Sequence, residues 1–162
     1  MSPIDKRLKS LNIVLPDVMP PVVDGYVSTF APFVRSGDHI YLSGRLGKED
    51  GKLLCGKVGG EISLDRAKLA VRQVAIELLG VLKVAVGDLG QVRRIVKLLV
   101  MVNGAPHFTD PHKVADGASE FLVQVFGEQG IHARSSCCVA QLPFGVCVEM
   151  DMIAEVVPIL QS

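Results

Sequence analysis

Arg134 stands in the run His132-Ala133-Arg134-Ser135-Ser136, at the entry of an extended segment late in the chain. A guanidinium there offers a planar fork of donors suited to a carboxylate. Further on, Glu149 and Asp151 are two residues apart, so a strand would project both from one face, where a carboxylate can orient a water or carry a proton. Arg134 with Glu149 is therefore the pair whose chemistry suits a small acidic substrate. The same spacing is also met by a plain, partly buried ion pair between the two, and Asp151 alone reads as an exposed strand residue. Ser136 lacks a nucleophile elbow and an evident His partner, which makes it a small cleft-lining residue rather than a nucleophile.

Other reactive side chains do not gather. His39, His107, His112 and His132 are scattered, with no H-E-x-x-H and no Cys at ligand spacing, so no metal site is expected. Cys55, Cys137, Cys138 and Cys147 lack C-x-x-C spacing, which argues against zinc and against structural disulfides. Gly56-Lys57-Val58-Gly59-Gly60 lacks the Gly-Lys-Ser/Thr ending of a phosphate loop and reads as an ordinary glycine-rich turn.

The elements that must position these residues follow from periodicity. A short helix is predicted over Ile4 to Leu11, then a proline-bearing arm between 15 and 25, so that 1–23 form a helix and extended arm leading one domain over 1–162. Tyr26 to Val34 and His39 to Ser43 form a predicted hairpin about Arg35-Ser36-Gly37-Asp38, with Gly44 as a bulge or strand end. Ala67, Ala70, Val71, Val74, Leu78 and Leu82 mark one face of a long helix from the N-cap Ser63 to the stop at Gly87. Arg93 to Val102 reads as a central strand buried on both faces. A second helix starts at Asp110-Pro111, presents Val114, Ala118, Phe121, Leu122 and Val125, and ends at Gly127 and Gly130. Ser135 to Leu142 and Val146 to Val157 read as an antiparallel hairpin joined by Pro143-Phe144-Gly145.

The order ββ, helix, β, helix, ββ implies an α+β domain in which two helices cover one face of a mixed sheet. One helical layer leaves the other face bare, and a mean hydropathy of +0.38 argues that other subunits of a closed oligomer cover it. Lys plus Arg and Asp plus Glu are 17 each, so no net field exists to hold a large nucleic-acid footprint. The polar N-terminus and the lack of an 18-residue apolar stretch point to a cytoplasmic protein without a membrane segment.

The segment from Ala133-Arg134-Ser135 through Val139-Ala140-Gln141-Leu142-Pro143 to Val148-Glu149-Met150-Asp151 closely resembles the signature of the Rid/YjgF family. Tyr41-Leu42-Ser43-Gly44 and Val86-Gly87-Asp88-Leu89 are similar to further family segments, and the resemblance spans roughly 24 to 157, with an N-terminal extension resembling a longer subfamily. It implies a chorismate-mutase-like two-layer fold and a homotrimer whose sheets form an inner barrel, with clefts between subunits. It also implies cofactor-free hydrolysis of enamines and imines such as 2-aminoacrylate to 2-keto acids and ammonia, in the manner of a 2-iminobutanoate/2-iminopropanoate deaminase.

Carried over by position, Arg134 holds the substrate carboxylate, Glu149 engages the water or the imine nitrogen, and Ser43 and Gly44 line the cleft. Three positions depart from the family pattern. Its usual Cys is Ser136, its cleft Asn is Asp116, and its cleft Tyr is either Tyr26 or is replaced by Phe33. Asp116 would compete with an anionic substrate for Arg134. The competing expectations are a non-catalytic trimer that binds a small carboxylate, favoured by Asp116 and Ser136, and a ribonuclease or translation inhibitor, disfavoured by the neutral charge.

Overall fold

Eight residues, Pro3–Ser10, form helix α1, because Ser2 and Asp5 cap each other reciprocally and Pro3 occupies the first turn. The computed structural model describes residues 2–17 and 29–158, and the backbone of 22–23 and 26–27. Of the predicted arm between 15 and 25, residues 18–21, 24 and 25 lie outside the described residues. Two short strands, β1 (Val22–Val23) and β2 (Tyr26–Val27), pair with each other.

The main sheet holds β3 (Phe33–Ser36), β4 (His39–Leu46), β7 (Val92–Asn103), β8 (Ala133–Val139) and β9 (Val148–Val156), in the order β3-β4-β9-β7-β8. A small ribbon of β5 (Lys48–Glu49) and β6 (Lys52–Leu53) follows β4. The β3–β4 hairpin is shorter than predicted and turns on Gly37, whose φ of 58° needs glycine. Gly44 falls within the predicted irregularity: the register of β4 against β9 shifts between Leu42 and Arg45.

Two sequence expectations are corrected. The last two strands are not a hairpin: β8 pairs in parallel with β7, and β9 lies antiparallel between β4 and β7. The reason is the length of the chain between Val139 and Val148. Pro143–Gly145 is only a 3-10 turn within it, and backbone bonds from Asn103 to Cys147 and from Cys147 to Leu54 carry the loop past the end of β7. A parallel pair needs a long crossover, which helix α3 supplies. The strand Val92–Asn103 is also not buried on both faces: Leu98, Val100 and Val102 are buried, whereas Lys97, Leu99 and Met101 are half-exposed.

Helices α2 (Leu64–Val86) and α3 (Pro111–Phe126) cover one face, α2 over β4 and β9, α3 over β7 and β8. Ser63 caps α2 by accepting from the Arg66 N–H at 3.2 Å, and Gly87 ends it. Every predicted stripe residue of both helices is buried, in one core with Leu98, Val100 and Val102 of β7 and Val148, Met150, Met152 and Ala154 of β9. With α1, the result is a mixed sheet with three helices. Among the described residues, no helix is long and apolar enough to cross a membrane.

Among the described residues, no helix covers the opposite face. It presents Glu149, Asp151 and Ile153 of β9 beside Leu99 and Met101 of β7, with Val34 and Tyr41 exposed at its margin.

Candidate functional site

Strand parity separates the two predicted key residues. Arg134 pairs in register with the buried Leu98 and therefore faces the helices, whereas Glu149 pairs with Met101 and faces the open side. The ion pair weighed between them does not form. Arg134 instead reaches α3, where its Nη1 donates to Asp116 Oδ1 at 2.8 Å and to Ser119 Oγ at 3.0 Å, and its Nη2 donates to the His112 carbonyl at 3.3 Å.

That contact continues as a chain. Ser119 Oγ lies 2.9 Å from His132 Nε2, and His132 Nδ1 lies 2.6 Å from the Gly130 carbonyl. A carbonyl only accepts, so Nδ1 carries a proton, and in the neutral imidazole Nε2 accepts from the Ser119 hydroxyl, whose oxygen in turn accepts from Arg134. Burial, and after it the Arg134 charge, hold His132 below the ordinary 6.5, against the opposing pull of the Gly130 bond. Below about 6.5 the unfolded chain takes up a proton that the folded chain refuses, so stability falls with falling pH until the folded-state value is passed. Thermal midpoints measured from pH 8 to pH 5 should therefore fall less in His132→Gln than in the wild type.

Sequence reasoning missed Ser119. Its signal was the i, i+3 spacing from Asp116, which sets both on one side of the helix at the border of its buried stripe. Ser136 shares the Arg134 face of β8 and is half-buried.

On the open face Glu149 and Asp151 have different surroundings. Both carboxyls are pushed up by burial. Asp151 is pulled back by the Leu99 backbone N–H and the Lys97 charge, while Glu149 is raised further by Asp151. Glu149 is thus the one held toward its protonated form, the arrangement that suits a proton carrier.

Gly44 lies directly against Glu149: a Cβ there would collide with Oε1 and lie 3.3 Å from Cδ. Only the end of a flexible side chain is in the way, and Gly44 is not among the positive-φ glycines. Gly44→Ala should therefore leave the thermal midpoint nearly unchanged while displacing the carboxylate. A rate loss of about 10²-fold at unchanged stability is expected for the reaction argued below.

Ser43 donates its hydroxyl to the Ala31 carbonyl at 2.6 Å and so anchors the preceding loop. Phe33 pairs with the buried Leu42 and packs on the core, away from the open face. The Tyr26 side chain lies outside the described residues. Among the described residues, no three His, Cys, Asp or Glu side chains converge as metal ligands would. A cavity of about 680 Å³ lies between α1 and the end of α2, lined by Leu8, Ile13, Gly80 and Val84, and touches none of these groups.

A mixed sheet with helices on one face, with the arginine strand at its edge, defines a chorismate-mutase-like α+β protein. A family model described as "YjgF/chorismate_mutase-like, putative endoribonuclease" matches residues 6–156, and the chain belongs to this family. It is 41% identical over 151 residues to Protein TCP17 of Trypanosoma cruzi, covering 92% of this chain and 91% of that protein. Among solved structures it is similar to Atu1372, a protein of unknown function from Agrobacterium tumefaciens, with 37% identity, a TM-score of 0.82, and 94% and 91% of the two chains covered. It is also similar to a "putative endoribonuclease" from Shewanella oneidensis, with 25% identity, a TM-score of 0.86, and 94% and 99% covered.

Proposed function

We propose that this chain hydrolyses reactive enamines and imines of the 2-aminoacrylate kind to 2-keto acids and ammonia, as a cytoplasmic homotrimer with its clefts between subunits. The observation that carries this reading is Glu149, a half-buried carboxyl against a glycine on the uncovered face, with no hydrogen-bond partner among the described residues. Such a group is costly for the fold and useful for moving a proton.

The assembly is supported by the open face itself. Leu99, Met101 and Ile153 flank the carboxyls there, an apolar patch that a closed ring of copies would cover. Because Arg134 and Glu149 face opposite ways, one cleft using both draws Glu149 from one subunit and the edge strand bearing Arg134 from its neighbour.

The chemistry balances with water and protons alone. An enamine gains a proton at its methylene carbon and loses one from nitrogen to become an imine. Water adds to the protonated C=N carbon, and the carbinolamine expels ammonia, leaving the ketone. A carboxyl raised toward neutrality delivers the proton and, once ionised, accepts one from the attacking water. Orientation supplies the remainder, and the steps call for no metal or organic cofactor.

The names of relatives bring a ribonuclease reading to this chain, but the balanced charge gives RNA little to bind. Holding a small carboxylate without turnover leaves the raised Glu149 carboxyl without a role. The test is ammonia release from 2-aminoacrylate generated in situ, with the wild type and with Asp116→Asn, which frees Arg134. Acceleration over the spontaneous rate is expected; none from either protein would end the deaminase reading.

A further inference from the structure

The geometry of the Arg134–Asp116 pair fits a neutral amide better than a carboxylate. A guanidinium has five N–H donors. Three are in use, two on Nη1 toward Asp116 and Ser119 and one on Nη2 toward the His112 carbonyl. Two donors remain, and Asp116 Oδ2 has no hydrogen-bond partner among the described residues.

The pair therefore holds two N–H groups and one carboxylate oxygen without partners among the described residues. Asp116 is also the more open partner, with its side chain 43% exposed against 23% for Arg134. An incoming carboxylate meets a like charge first and an already neutralised cation second, which opposes its binding. A carboxamide places a carbonyl oxygen beside N–H donors, so its oxygen can accept from Arg134 while its nitrogen donates to Asp116 Oδ2. Both ends of the ion pair are then satisfied, and no third charge enters the cleft.

We infer that Asp116 converts the Arg134 subsite from a carboxylate fork into an amide-reading one, so that within the proposed hydrolysis imines of 2-oxo amides are preferred over the carboxylate-bearing 2-aminoacrylate. The inference rests on the reading that Arg134 lines the substrate cleft, and it concerns what binds there rather than whether hydrolysis follows.

The test uses pyruvate and pyruvamide, which differ only in the group that Arg134 would meet. Dissociation constants are measured by calorimetry for the wild type and Asp116→Asn, and folding is checked by thermal midpoint. The wild type is expected to favour pyruvamide by about tenfold or more, and Asp116→Asn to reverse the order. Tighter pyruvate binding by the wild type, an equal ratio in both proteins, or no binding of either ligand by either protein would overturn the inference. Amide preference without hydrolysis of any imine would remove the deaminase reading alone. Hydrolysis of 2-aminoacrylate with a pyruvate preference would remove this inference alone.

Discussion

Glu149→Gln is expected to remove imine hydrolysis while leaving the folded protein at least as stable as before. The carboxyl is held up by burial and by Asp151, so the folded state binds its proton more tightly than the unfolded state does. The sign follows: once pH rises above the ordinary 4.5, the cost of ionising Glu149 in place weakens the fold, and that cost is complete above the folded-state value. Gln keeps the shape and carries no charge, so the thermal midpoint at pH 7 should hold or rise. Loss of a positioned proton carrier slows such reactions by about 10²–10⁴-fold. A destabilised variant with its rate intact would make Glu149 a structural residue instead.

Gly117→Ala should have the second large effect, and this one on stability. Gly117 is where α3 touches α2: an added Cβ would collide with the Lys68 carbonyl oxygen and lie 3.0 Å from the carbonyl carbon. Both are backbone atoms within helix α2 and cannot swing aside as the Glu149 side chain can. Ala is the better helix former by about 1 kcal/mol. Forcing the helices apart costs about 1–3 kcal/mol, and contact this close lies at the upper end. A midpoint drop of several degrees is expected. An unchanged midpoint would mean that the helices do not meet at this point. Because Asp116 precedes Gly117, the shift should also move its carboxylate from Arg134, to be read in the pyruvate and pyruvamide affinities.

The helices were legible because their signals are local. Ser63, Gly87 and Pro111 mark ends through backbone chemistry within one turn, and the stripes at 67–82 and 114–125 state directly which face is buried. The strand partners were not legible. Pro143-Phe144-Gly145 has the composition of a tight turn, and nothing in it discloses that β8 pairs with β7 through bonds set by α3. The same limit applied to the site. The signature run singled out Arg134 and Glu149, and the irregularity at Gly44 was legible from its glycine, but the contact of Gly44 with Glu149 was not. That the two key residues face opposite sides depends on register against β7, a long-range property. Asp116 was suspected as a competitor for Arg134, and the structure adds Ser119 and His132 as the rest of that chain.

The place of β9 between β4 and β7 has a consequence for how the molecule is made. During synthesis the first hairpin and the β7–α3–β8 unit emerge first, and neither can join the other until Val148–Val156 arrives to bridge them. The two halves of the sheet must wait with strand edges and apolar faces uncovered, and the contacts that close the core span most of the sequence. Such topologies fold slowly and are exposed to mispairing meanwhile. The nascent chain is thus expected to be most dependent on chaperones just before its last strand appears.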